Sequence, residues 1–140
     1  MSYTIALRVY QTNPARGFFH VVEQTVWRNG VWSQMDGMLV LSLHSNGPSG
    51  VVRFLSTKGE RIAVAVGVHN YQRWCDIVTN LNPDETALKV NCEYYNDGFR
   101  SFAREKQSVE HSATSNAGTK VQIKYTVAEG RKLEADVIFG

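Results

Sequence analysis

Over most of its length this chain places apolar residues at every second position, and that spacing admits few folds other than stacked β-strands. Tyr3, Ile5, Leu7 and Val9 alternate with Thr4, Ala6, Arg8 and Tyr10. Asn13, Pro14 and Gly17 then break the run, because proline fixes φ and glycine frees it. Residues 18–27 are rich in β-branched and aromatic types and read as a second strand. Asn29-Gly30, between Trp27 and Trp32, predicts a tight hairpin. Leu39, Leu41 and Leu43 alternate again, SNGPSG at 45–50 is a loop, and 52–55 and 62–68 make two strands about Lys58-Gly59. Six runs so closely spaced predict an antiparallel sandwich or barrel. A last hairpin closes the chain: Val121, Ile123, Tyr125 and Val127, a turn at Glu129-Gly130, then Leu133, Ala135, Val137 and Phe139.

One stretch departs from period two. In residues 67–81, GVHNYQRWCDIVTNL, the apolar positions Tyr71, Trp74, Cys75, Val78 and Leu81 follow the spacing of an amphipathic helix. Asn70 can cap its start and Pro83 limits its end. On its polar face Asp76 and Thr79 then stand side by side. Asn82-Pro83-Asp84-Glu85 is a further helix start, yet Leu88, Val90, Cys92 and Tyr94 alternate, so helix and strand compete over 84–95. Residues 99–107 read as a helix with Phe99, Phe102 and Ala103 on one face.

Composition excludes several functions. The 140 residues suit a single domain, 1–140, able to bury its own core. A net charge of +2 without a Lys/Arg run gives no electrostatic case for nucleic acid. Cys75 lies among apolar residues and reads as a buried thiol, which fits a reducing compartment. No signal peptide and no membrane-spanning stretch is visible, so a cytoplasmic location is expected. The histidines His20, His44, His69 and His111 are scattered, so neither a metal nor another cofactor is expected. No nucleophile elbow, phosphate loop or dinucleotide fingerprint occurs, and enzymatic activity is not expected.

Several long stretches resemble the fungal fruit-body lectin family: LRVYQTNPARGFF, LSTKGERIAVAVGVHNYQRWCDIVTNL, DETALKVNCEYYN and YTVAEGRKLEADVIFG. The resemblance spans nearly the whole chain. It implies a β-sandwich of two antiparallel sheets connected by a helix–loop–helix, similar to the actinoporin fold of sea-anemone cytolysins. It also implies a homotetramer that binds glycans of glycoproteins or glycolipids reversibly, with no metal, no catalysis and a role in defence against grazing animals.

Two sugar sites follow from the same resemblance, one on either side of the helix–loop–helix. An N-acetylglucosamine site comprises Asp76, Ile77, Thr79 and Arg100, with His111 where relatives carry tyrosine. The residue types suit the task, since a carboxylate accepts from sugar hydroxyls and the guanidinium fork donates twice. Without the resemblance, Asp76 and Arg100 read as a plain ion pair. The second site, for galactose or N-acetylgalactosamine, matches at His69, Asn70 and Gly47. Its loop side departs: only RNGV separates Trp27 from Trp32, Asn46 stands where serine is usual, and Pro48 lacks an N–H. That site is expected to be lost or re-specified.

The competing reading is a membrane-active module, because the implied fold is shared with pore formers. Those proteins insert a detachable amphipathic helix, whereas strand periodicity here begins at Tyr3, so direct membrane insertion is not expected.

Overall fold

The computed structural model describes residues 2–140. The chain runs through β1 (Tyr3–Gln11), a 3-10 turn at Pro14–Arg16, β2 (Phe19–Trp27), β3 (Gly30–Met35), β4 (Met38–Leu43), β5 (Ser49–Ser56), β6 (Arg61–His69) and β7 (Gln72–Val78). Two short helices follow, α1 (Ala87–Cys92) and α2 (Phe102–Lys106), and then β8 (Glu110–Thr114), β9 (Lys120–Val127) and β10 (Lys132–Phe139). A six-stranded sheet has the order β3-β4-β1-β10-β9-β8, and a four-stranded sheet the order β2-β5-β6-β7. This is the expected β-sandwich with its helix–loop–helix between β7 and β8. Neighbouring strands are antiparallel throughout except β1 and β10, which pair in parallel at the centre of the larger sheet.

The core forms two layers. Ile5, Leu7, Leu41, Val64, Val66, Ile123 and Val137 meet between the sheets. The outer face of the smaller sheet is covered by the helices, where Val51, Ala63, Ala65, Trp74, Val90 and Tyr94 form a second cluster. β6 shows how one strand serves both layers. Its Ile62, Val64, Val66 and Val68 fill the sandwich, while Ala63, Ala65 and Gly67 keep the helical side low. A Cβ on Gly67 would stand 2.6 Å from Ser49 Cβ and 2.7 Å from the Trp74 indole nitrogen, so no larger residue fits.

Three expectations are corrected. Residues 67–81 form no helix: they are the β6–β7 hairpin, with His69 paired to Gln72 and with Asn70 and Tyr71 at φ 48° and 65°. That is a two-residue turn of the primed kind, so Asn70 turns the chain instead of capping a helix. The helical spacing arose because β7 is covered on both sides. Cys75 and Ile77 face the sandwich while Trp74 and Val78 face the helices, which erases the alternation.

Asn29-Gly30, second, turns no hairpin. β2 belongs to the smaller sheet and β3 to the larger, so this segment crosses between them, with Arg28 at φ 72°. The tight hairpin lies instead at Asp36-Gly37, both with positive φ, between the paired Met35 and Met38.

Third, of residues 84–95, where helix and strand competed, only Ala87–Cys92 is helix, and it does not start at Pro83. Thr86 caps it by accepting from Lys89 N at 3.1 Å, and Glu23 on β2 accepts from Ala87 N at 2.8 Å. A capping carboxylate from a distant strand is invisible in local sequence. Within 99–107, Ala103 is buried but Phe99 and Phe102 are 66% and 55% exposed, so the supposed apolar face looks outward.

Candidate functional site

The helical layer separates two grooves. The first runs along the free edge of β7, opposite α2 and β8, and encloses about 230 Å³. Asp76 and Ile77 line it from β7, Arg100, Phe102 and Lys106 from the helical segment, and His111 from β8. Four of the five residues named for the N-acetylglucosamine site therefore converge. The fifth, Thr79, lies past the end of β7, outside the groove lining, where its hydroxyl accepts from Asn80 Nδ2 at 3.2 Å. Asp76 and Thr79 do not share a helix face, since no helix is there.

Asp76 is aimed from behind. Its Oδ2 accepts from the Tyr94 hydroxyl at 2.7 Å, and its Oδ1 lies 3.5 Å from His111 Nε2. Tyr94 is fully buried. Burial, followed by the charge of Asp76, pushes its phenol well above the ordinary value, so it stays a donor across the neutral range. Arg100 does not pair with Asp76. Its Nε donates to Glu93 Oε1 at 2.8 Å and its guanidinium lies 4.5 Å over the Phe99 ring. Among the described residues no hydrogen bond engages its two terminal nitrogens, which remain for a ligand. Burial, then Asp76, pushes the Cys75 thiol at the groove wall up to about 12, so it is an inert wall and not a nucleophile.

The second groove, about 200 Å³, lies between the β2–β3 crossover, the loop before β5 and the helices. Arg28, Asn29, Asn46, Gly47, Tyr95 and Arg104 are among its lining residues. Asn46 and Gly47 are thus in place, whereas His69 and Asn70 are outside the lining. Arg104 Nη2 donates to His69 Nδ1 at 3.1 Å, so the histidine stands directly beside a groove residue. Burial, then the charge of Arg104, lowers its proton affinity, while Glu105 partly opposes them. Asn46 Oδ1 accepts from Tyr71 N at 2.8 Å and ties the loop to the β6–β7 tip. Tyr95 stacks on Trp27 at 4.5 Å, donates to the Gly47 carbonyl at 2.9 Å and lies 2.6 Å from Ser49 Oγ. Pro48 has no N–H to offer, and its carbonyl accepts from Val68 N at 3.2 Å.

Sequence reasoning missed Tyr94, Phe102 and Lys106 at the edge groove, and Arg28, Tyr95 and Arg104 at the crossover groove. The adjacent Tyr94-Tyr95 pair carried a signal. Two consecutive tyrosines in a short helical segment can serve two different pockets, one on either side.

The fold, both grooves and the matching residues now stand together. The profile of the fungal fruit body lectin family matches residues 1–137. The chain belongs to that family. It is 56% identical to the Boletus edulis lectin over 142 residues, covering 99% of each. It superposes on the crystal structure of the wild-type Xerocomus chrysenteron lectin with a TM-score of 0.98, at 62% identity over 100% of both chains. The lipid binding protein Nakanori aligns at a TM-score of 0.63 and 11% identity, over 99% of this chain and 71% of that one, a likeness of fold alone. Family membership makes the protein a carbohydrate-binding lectin, and its relatives are lectins and not enzymes. Among the described residues no cluster of His, Cys, Asp and Glu could hold a metal ion, and no helix is long and apolar enough to cross a membrane.

Proposed function

We propose that this lectin binds N-acetylglucosamine-terminated glycans in the edge groove, and that the crossover groove is an altered form of a galactose-type site. The observation that carries the reading is the convergence of Asp76, Ile77, Arg100 and His111 on one groove, although they come from three separate segments. Asp76 offers acceptors, Arg100 donors, and the exposed ring of Phe102 an apolar surface for the CH face of a sugar. No bond-making step is assigned to these groups.

A neutral sugar in an open groove exchanges hydrogen bonds with water and binds weakly, at a Kd of about 1 mM or about −4 kcal/mol. The reading therefore includes a homotetramer, because several sites on one glycan-covered surface gain about 10²–10⁴ in avidity. It also keeps the protein in the cytoplasm and gives it a defensive role when an animal ingests the cell.

Titration calorimetry with N,N′-diacetylchitobiose and with Galβ1-3GalNAc tests the reading. Heat with chitobiose, lost in Asp76→Ala, is expected, with little or none from the neutral galactose disaccharide. Silence with chitobiose overturns the edge-groove assignment, and sedimentation as a monomer overturns the tetramer.

A further inference from the structure

We propose that the crossover groove takes an anionic substituent of a glycan, a sulfate or a carboxylate, held between Arg28 and Arg104. The inference rests on the lectin reading and goes beyond it by naming the class of sugar. Both arginines line the groove, and their companions Asn29, Ser45, Asn46, Gly47 and Tyr95 include no carboxylate.

Neither guanidinium is neutralised. Among the described residues the ion pairs of arginine are Arg8–Glu134, Arg53–Glu23 and Arg100–Glu93, and neither Arg28 nor Arg104 takes part in one. Arg104 donates to the Tyr94 carbonyl at 2.9 Å and to His69, stacks 4.4 Å over the Tyr95 ring, and leaves its Nε buried without a partner. It is fixed, desolvated on one side and short of an acceptor. Arg28 is exposed on the short crossover and held there by its left-handed backbone.

The two charges act on the same spot. Both line the same groove, and the Ser49 hydrogen bond and the charges of Arg104 and Arg28 pull back the Tyr95 hydroxyl that burial pushes up. The exposed fork of Arg28 and the remaining N–H groups on the terminal nitrogens of Arg104, over a neutral amide-and-hydroxyl floor, suit a sulfate or carboxylate. The Asn46 amide nitrogen and the Asn29 side chain remain for the sugar hydroxyls around it. The RNGV crossover is thus a specificity device. It puts an arginine, Arg28, at the rim.

The test compares Galβ1-3GalNAc with its 3′-O-sulfated and 3′-sialylated forms, on the full chain and on Arg28→Gln and Arg28→Lys, with chitobiose as the reference ligand in every titration. At least one anionic form is expected to bind about tenfold more tightly than the neutral disaccharide, the size of one charge-assisted contact. That advantage should shrink as ionic strength rises from about 0.05 M to about 0.5 M. It should vanish in Arg28→Gln, persist in part in Arg28→Lys, and leave chitobiose binding unmoved in both. The arm that gains most separates sulfate from carboxylate. Equal binding of neutral and anionic forms, or a preference that survives Arg28→Gln, overturns the inference while intact chitobiose binding keeps the edge-groove reading standing. An anionic preference without chitobiose binding does the reverse. Absence of binding to every sugar overturns both.

Discussion

The edge groove and the crossover groove share one wall and differ in charge. Along the edge, Arg100 is matched by Glu93, Asp76 faces His111, and Lys106 lies over the Phe102 ring, so the lining mixes a carboxylate with its cations. At the crossover, Arg28 and Arg104 line a groove with no carboxylate in its lining. The wall between them is the same short run of chain. Tyr94 sends its hydroxyl to Asp76, Tyr95 sends its own to Gly47, and Arg104 binds the Tyr94 carbonyl and His69. The shared wall fixes the shape of both grooves, while the strand edge and the crossover loop set the charge of each. A change in one loop can therefore re-specify one groove without touching the other.

Asp76→Ala separates the two grooves most strongly. It removes the charged acceptor of the edge groove and leaves the buried Tyr94 hydroxyl without a partner. Chitobiose affinity should fall about tenfold to a hundredfold, the range for a hydrogen bond to a charged group. Unfolding in urea should show a loss of about 1–3 kcal/mol from the orphaned phenol. The crossover groove should keep its ligand, because Asp76 does not line it. Asp76→Asn restores an acceptor for Tyr94 and should recover stability more than affinity.

Much of this architecture could be read from the residues, and the failures have physical causes. The terminal hairpin was legible because β9 and β10 each bury one face, so Val121, Ile123 and Tyr125 alternate cleanly with polar neighbours. β7 was not, because helices cover its second face and bury Trp74 next to Cys75. The positions of Asp76, Arg100 and His111 came from family resemblance, and local pattern alone would have put Asp76 on the wrong kind of element. The start of α1 depends on Glu23, more than sixty residues upstream, and no local rule contains it. Arg28 was legible only as part of a short loop. Its meaning appears once the crossover is seen to bring it to the same groove as Arg104.

The paired variants Tyr94→Phe and Tyr95→Phe separate the grooves on a smaller scale. Each deletes one hydroxyl from the shared wall, at a cost of about 1 kcal/mol in stability. Tyr94→Phe should weaken chitobiose about threefold to tenfold by freeing Asp76 to rotate, and should leave the crossover ligand unchanged. Tyr95→Phe should do the opposite by releasing the Gly47 carbonyl. If either variant altered both grooves equally, the wall would be coupling them and the grooves would not be independent. Alkaline stability separates the two further. Tyr94 is raised well above its ordinary value, so the stability tied to its proton is present below about pH 10 and is lost as pH rises through the folded value. Tyr94→Phe should remove that part of the alkaline slope.

Acid gives the smallest effect and acts on the crossover groove. His69 accepts a hydrogen bond from Arg104 at Nδ1, and Glu105 on the same helix is the acid acting on it. Its folded proton affinity is lowered, first by burial and then by Arg104. The unfolded chain therefore takes up the proton first. The associated stability is present above about pH 6.5, the ordinary histidine value, and is lost as pH falls through the lowered folded value. Melting temperature should drop modestly between about pH 7 and about pH 5, and His69→Gln should flatten part of that drop. Protonation of His69 also breaks the bond from Arg104 and sets a third cation beside the crossover groove. Acid should thus strengthen the hold on an anionic glycan at the crossover groove. Titrations with both ligands at the two pH values check this, and a parallel loss of both would show that acid loosens the shared wall itself.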